Sequence, residues 1–314
     1  MTASKRGKAA GLLHNTWKNR SLVMMVLPVV ILVIMFNYIP IFGLLVAFKE
    51  FNYKDGIWNS PWVGLKNFEF LFSMKTLTWR MLRNTIGYWI LFTTVGTICN
   101  VALAVALNRC ENKYFKKYSH AIMIVPTFIS YMAVTFIVDC FLNHSNGLLN
   151  QLILSMGGDT IRWYGEAKYW PLILTIVSVW KGTGYGAVLY LSALSGIDQE
   201  LYEAADLDGA SSWQKIRYIE IPMLVSMVCI LTLLNIGGIM QSDTGLFYQV
   251  TKDSSMLYST TQTIDTYVLK SMVDGLNDFG PSTAVSMFQS VVGCLTVLLA
   301  NGIVRRVSPD NAMF

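Results

Sequence analysis

An all-α membrane protein built on six spanning helices is the fold class this sequence predicts, and three observations predict it. The chain of 314 residues is 54% hydrophobic and only 14% charged, against about 25% charged in soluble domains. Several apolar runs pass the roughly 20 residues that carry a helix across a bilayer core. Basic residues gather at the ends of those runs. Their surplus, 24 Lys and Arg against 19 Asp and Glu, therefore reads as membrane topology rather than as a nucleic-acid surface.

Hydropathy places the spans at about 22–48, 84–107, 120–142, 169–194, 223–241 and 281–304. The first, Leu22–Phe48, follows Lys5, Arg6, Lys8, Lys18 and Arg20 as a signal peptide would. Its apolar part is too long for a signal peptide and no small-residue cleavage site follows, so it reads as a retained span. Pro28 and Pro40 predict kinks within it. Residues 49–80 carry Trp58, Trp62, Phe68, Phe70, Phe72 and Trp79. Two readings fit that pattern: an interfacial helix in an aromatic belt, or a contact surface for a partner protein. Residues 143–168 and 242–280 carry turn signals, and no linker or second soluble domain interrupts the chain. A single membrane domain over 1–314 is the expectation. Cys99, Cys110, Cys140, Cys229 and Cys294 lack metal-binding or disulfide spacing and read as small apolar residues.

Charge sets the expected orientation. The basic N-terminal tail, the 108–119 loop with Arg109, Lys113, Lys116 and Lys117, and Arg305-Arg306 all fall on one side when the N-terminus is cytoplasmic. The C-terminus and the 195–222 loop then share that side. Lys49, Lys54, Lys66, Lys75, Arg80 and Arg83 in the first external segment run against the rule, although Arg80 and Arg83 sit where they can snorkel.

The 195–222 loop carries the most information. Asp198 is placed to cap a helix whose first turn holds Glu200. Leu201, Ala204 and Ala205 share one face by helical spacing, with Glu200 and Glu203 on another. Gly209 allows a left-handed turn, and a second short helix is expected from Ser211 to about Glu220. Pro222 then sets the entry to the fifth span. Small residues leave room for another surface to approach, and Glu203 offers a charge to a basic partner. Packing of an amphipathic helix against the bundle fits the same residues.

The spacing Glu203-Ala204-Ala205, Gly209, Ile219 and Ile221-Pro222 resembles the cytoplasmic signature of the permease subunits of ATP-binding-cassette importers. The family pattern is Glu-Ala-Ala, three residues, Gly, nine residues, Ile, one residue, Leu-Pro, so Ile221 for Leu is the departure. The stretches 43–49, 62–68, 196–198, 264–268 and 290–293 extend the likeness along nearly the whole chain to the LplB-like oligosaccharide permeases of Gram-positive bacteria. The resemblance implies a six-helix type I importer fold in the cell membrane. It implies a heterodimer with a second homologous permease, two cytoplasmic ATPase subunits that use ATP and Mg, and an extracellular solute-binding lipoprotein that delivers a saccharide. This chain would bind no cofactor itself. Glu203 would then meet a basic residue of the ATPase; Ala204, Ala205, Asp208, Gly209, Ala210, Ile219 and Pro222 would shape the coupling loop. ATPase closure would switch the cavity between inward- and outward-facing states.

Saccharide sites use aromatic faces and amide or carboxylate hydrogen bonds. Trp180, Tyr185, Asn235, Gln241 and Gln289 are the candidates within the spans, each also able to serve as an interhelical hydrogen-bond partner. Asp139 and Lys181 are charges within spans that could pair or lie at span ends. Gly237 to Asp243 depart from the Asn and Phe-Glu pattern of the resembled family.

Rival classes have specific weaknesses. Thr183-Gly184-Tyr185-Gly186 is similar to a potassium-filter sequence, but it lies inside a continuous apolar run where glycines permit close helix packing. A secondary transporter, the main alternative, would couple to an ion gradient through intramembrane acids and an internal repeat, and neither stands out. The chain contains no P-loop of its own. His14, His120 and His144 fall in a tail, at a span edge and in a turn, which offers no nucleophile–base arrangement.

Overall fold

A computed structural model describes residues 19–273 and 279–307. Lys5, Arg6, Lys8, Lys18 and His14 of the basic tail lie outside the described residues. Helices dominate, and by length and composition five of them can cross a membrane, or six spans if one sharply bent pair counts as a span. The chain divides into two compact units, residues 1–68 with 279–284 and residues 69–278 with 285–314.

In the first unit, α1 (Arg20–Val33) continues through a π turn, Ile34–Tyr38, into a 3-10 helix, Ile39–Phe48. None of its most apolar 18-residue window is buried. Pro28 sits inside the α-helical segment Arg20–Val33. The change of helix type comes at Pro40 instead. Residues 49–68 are not one interfacial helix. Lys49 bridges to Trp62 in a single antiparallel pair, and its Nζ donates to the carbonyls of Ile57 and Trp58 at 2.8 Å each. Asn67 Nδ2 donates to Ala47 O and Lys49 O at 3.0 Å. A buried ammonium that needs three acceptors folds the segment back on itself before any long helix can form.

In the second unit, α2 (Lys75–Asn108) starts nine residues before the expected second span and absorbs the end of the aromatic segment. Trp79 and Phe72 stay exposed. The expected third span, 120–142, is broken. Helix α3 (Lys113–Phe128) and helix α4 (Tyr131–Leu142) meet at an angle of 100°. Ser130 caps α4, its Oγ accepting from Ala133 N at 3.3 Å.

Helix α5 (Trp170–Ser195) is continuous through Thr183–Gly186 and forms the axis of the unit. One core gathers at its first half, where Trp170, Leu174 and Val177 meet Tyr88, Val134, Val138, Phe247 and Leu257. A second gathers at its far half, where Ala187, Tyr190, Leu191 and Leu194 meet Ala104, Leu107 and Leu224. Between the two, a Cβ added at Gly184 would lie 1.7 Å from the Met123 carbonyl oxygen of α3. One added at Gly186 would lie 2.4 Å from the Asn100 amide of α2. Gly184 is there because the α3 backbone nearly touches it, and Gly186 because the Asn100 side chain does.

Helix α6 (Gln199–Leu207) lies in the following loop. Helix α7 (Ser212–Lys215) then runs through a π turn, Ile216–Glu220, into α8 (Ile221–Ile236) without a break. Pro222 therefore does not separate a loop helix from the fifth span. The π turn ahead of it contains Tyr218, whose carbonyl the proline ring would meet in a regular helix, and the missing N–H is absorbed in the same place. Pro40 follows a π turn in the same register. The fifth span also ends early, at Ile236, in turns that include Gly237 and Gly238. Helices α9 (Ile264–Val273) and α10 (Phe279–Val307) complete the described chain.

Candidate functional site

The loop from Ser195 to Pro222 is shaped by local chemistry at each corner. Asp198 has extended backbone angles and accepts from Glu200 N at 3.1 Å, as an N-cap should. At the other end of α6, Gly209 takes φ +72° in open space, so the residue is glycine for its backbone and not for packing. Ala210 N donates to Ala205 O at 2.9 Å and Gly209 N to Asp206 O at 3.0 Å. That is the paired bonding of a Schellman cap. Ser211 and Gln214 then form a reciprocal capping box for α7, with Ser211 N donating to Gln214 Oε1 at 2.7 Å. Lys215 pairs with Asp206 across the turn.

What α6 shows to the outside differs from the helical-wheel expectation. The residue that packs inward is Tyr202, with Ala205 half-buried beside it, whereas Leu201 is 47% exposed. Glu203, Ala204 and Asp208 are exposed, and Leu207 is 91% exposed. Ile219 is half-buried and Pro222 exposed. The capped helix thus presents a carboxylate, a small methyl and a bare leucine together. Leu207 was not singled out in the sequence, although an apolar residue next to Asp206 and Asp208 is the signal that could have found it.

Beneath the helix lies a second unforeseen feature. Glu220 is 0% exposed and pairs through Oε1 with Arg109 Nε at 2.9 Å. Tyr202 Oη donates to the same oxygen at 3.3 Å, and the Arg109 guanidinium lies 6.0 Å from the Tyr202 ring centre. Burial, and then the neighbouring Glu220 carboxylate, raise the Tyr202 phenol above its ordinary value. In the sequence Arg109 counted only toward the basic loop, and Glu220 was an unread position between two isoleucines.

Four of the five saccharide candidates are exposed and one is buried. Trp180 and Tyr185 are exposed on α5, at 41% and 59%, and Asn235 and Gln241 are exposed near the end of α8. Gln289 is buried, and its Nε2 donates to Met240 O at 2.6 Å and to Asp265 Oδ1 at 3.2 Å. It is an interhelical tie. Asp265 holds Ser242 as well, by its N–H at 2.6 Å and Oγ at 3.0 Å. Asp139 and Lys181 do not pair with each other. Asp139 takes Lys252 at 2.5 Å, while Lys181 Nζ donates to the carbonyls of Pro126, Thr127 and Ile129 at 3.2, 2.8 and 2.6 Å.

A helical membrane unit with a capped, exposed loop helix before Pro222 is what the class of membrane transport permeases calls for. Residues 93–309 match the family model for the binding-protein-dependent transport system inner membrane component, and the chain belongs to that family. It is 32% identical to protein LplB of Bacillus subtilis, over 97% of this chain and 95% of that one. It is 30% identical to the polygalacturonan/rhamnogalacturonan transport system permease protein YteP of the same organism, over 98% and 94%. A crystal structure of a bacterial ABC transporter for import of the acidic polysaccharide alginate contains a chain with a TM-score of 0.84 and 29% identity. The match covers 95% of this chain and 99% of that one.

Proposed function

We propose that this chain is the membrane permease subunit of an ATP-driven importer for a carbohydrate, an oligosaccharide rather than a simple sugar. The observation that carries the proposal is the geometry of α6. Its two ends are fixed by an Asp cap and a Schellman turn, while Glu203, Ala204 and Leu207 stand clear of the chain. A short rigid helix with an exposed acid and an exposed leucine fits a cleft on a soluble partner. On this reading the loop 195–222 docks on a cytoplasmic ATPase, and both termini share its side of the membrane.

The rest of the assembly follows from the same reading. A second homologous permease pairs with this one, two ATPase subunits bind ATP and Mg below, and an extracellular lipoprotein delivers the saccharide from outside. The plasma membrane of a Gram-positive bacterium is the expected location, in keeping with relatives from Bacillus subtilis. An uptake screen begins with uronic-acid oligosaccharides, in keeping with relatives named for polygalacturonan/rhamnogalacturonan and for alginate.

Co-purification tests the proposal. The detergent-extracted chain is expected to carry the ATPase, and Glu203→Lys is expected to release it while the spans stay folded. ATP-driven uptake unchanged by Glu203→Lys would remove the coupling role. Transport that survives ATP depletion but stops when ion gradients collapse would favour a secondary transporter instead.

A further inference from the structure

The buried group under α6 links three elements that the sequence keeps far apart. Arg109 caps the C-terminus of α2, Glu220 ends the π turn at the foot of α8, and Tyr202 precedes the Glu203-Ala204-Ala205 stretch on α6. One carboxylate oxygen, Glu220 Oε1, accepts from the Tyr202 phenol and is the ion-pair contact of the Arg109 guanidinium.

Two further observations separate this group from an ordinary structural ion pair. First, the pair is incomplete: Arg109 Nε lies 2.9 Å from Glu220 Oε1 as an ion pair, yet Nε, Nη2 and Glu220 Oε2 are all buried and none has a hydrogen-bond partner among the described residues. Arginine and carboxylate prefer a two-point fork, so a second contact within the same pair is left unused in this conformation. Second, the group borders a polar cavity of about 370 Å³ that also reaches Asn108, Asp206 and Lys215. The side chains therefore have room to change partners. A buried charge is costly to orphan, so displacement of Glu220 favours a matching shift of Arg109 within that space.

We propose that Arg109, Glu220 and Tyr202 are positioning residues that transmit movement of α6 to the feet of α2 and α8. The proposal rests on the reading of α6 as the ATPase-facing helix. Displacement of α6 shifts the Tyr202 hydroxyl and ring together. Glu220 follows the hydroxyl and Arg109 follows both, which moves the two helix ends as one. The exposed face docks, and this inner face connects.

The test uses the complete complex in liposomes, with its external binding protein purified together with the saccharide it carries. Basal ATP hydrolysis and its stimulation by that binding protein are measured side by side, along with ATPase co-purification. Tyr202→Phe keeps the ring and removes the hydroxyl; the ratio of stimulated to basal rate is expected to fall about threefold. Tyr202→Leu removes both contacts and is expected to bring the ratio close to unity, with the ATPase still bound. Glu220→Gln serves as the second site and is expected to lower the ratio as well. A purely structural role would lower the amount of complex and both rates together, and leave the ratio unchanged. A wild-type ratio in all three variants would overturn the proposal, and so would loss of the ATPase from the Tyr202 variants. Failure of the coupling reading itself looks different: there the Glu203→Lys complex would keep its ATPase and its uptake.

Discussion

The third and fourth spans read alike in the sequence and fold in opposite ways. The run 120–142 looks like one apolar helix, yet it breaks at Ile129–Ser130 and turns through 100°. Helix α5 contains Gly182, Gly184 and Gly186, and it stays helical from Trp170 to Ser195 as its continuous apolar run predicts. The difference lies in where backbone groups find partners. Gly184 lets the backbone of α3 close in on α5, and Gly186 leaves room for the Asn100 amide of α2. The end of α3 survives inside the unit because α5 supplies Lys181, whose three N–H donors meet three carbonyls at the break. Thr127 Oγ1 returns a bond to Lys181 O at 2.8 Å. A break in a membrane helix therefore depends on its unbroken neighbour.

Gly184→Ala should break that comparison most severely. Its methyl would fall 1.7 Å from a backbone oxygen, which cannot turn aside as a side chain can. Separation of α3 from α5 is expected to cost about 3 kcal/mol or more, with Lys181 drawn off its carbonyls as a consequence. Gly186→Ala is the internal control, because the clash there is with the Asn100 side chain, which can rotate. Thermal unfolding in detergent should show a clear loss for Gly184→Ala and a smaller one for Gly186→Ala. Equal losses would mean that backbone approach is not what the glycines serve.

Lys181→Met comes next. It keeps the length of the side chain and removes every donor at the break. Each stranded carbonyl costs about 1–3 kcal/mol when no other donor replaces the lost one. Charge in a span is itself unfavourable by roughly 3 kcal/mol on insertion scales, so the net loss is expected to be about 2 kcal/mol. The ring of Tyr131, whose centre lies 4.9 Å from Nζ, would lose its cation as well. Denaturant or thermal unfolding checks the magnitude. A variant as stable as the parent would show that the bend holds without its lysine.

These residues also explain how far the sequence could be read. The loop helix was legible because its chemistry is local. Asp198, Gly209 and Ser211 each act on a backbone group within five residues, so spacing alone reveals them. The spans were legible as apolar length, with boundaries shifted where a helix ran beyond the hydrocarbon, as α2 does from Lys75. Distant pairings stayed hidden. Lys181 reaches Pro126 across 55 residues, and Glu220 meets an Arg109 that hydropathy had assigned to a basic loop. The inward face of α6 was missed for the same reason: Tyr202 packs because Glu220 and Arg109 lie beneath it, and nothing in the helical wheel of 199–207 contains that fact.

Ser130→Ala probes the other side of the break and should give the smallest effect. Ser130 holds extended angles, φ −64° and ψ 149°, and its hydroxyl serves one orphan N–H of α4. Loss of such a cap costs about 1 kcal/mol, well below the removal of three donors at once. The two halves of the break then differ in kind. The N-terminus of α4 is closed by a residue of its own, as the ends of soluble helices are, whereas the C-terminus of α3 is closed by a charge borrowed from another span. If that distinction is correct, Ser130→Ala and Lys181→Met should add nearly independently although Lys181 bonds the carbonyl next to Ser130, because the two side chains serve different backbone groups. A coupling well above about 0.5 kcal/mol between them would mean instead that the bend is one cooperative unit, with the cap and the lysine holding the same arrangement.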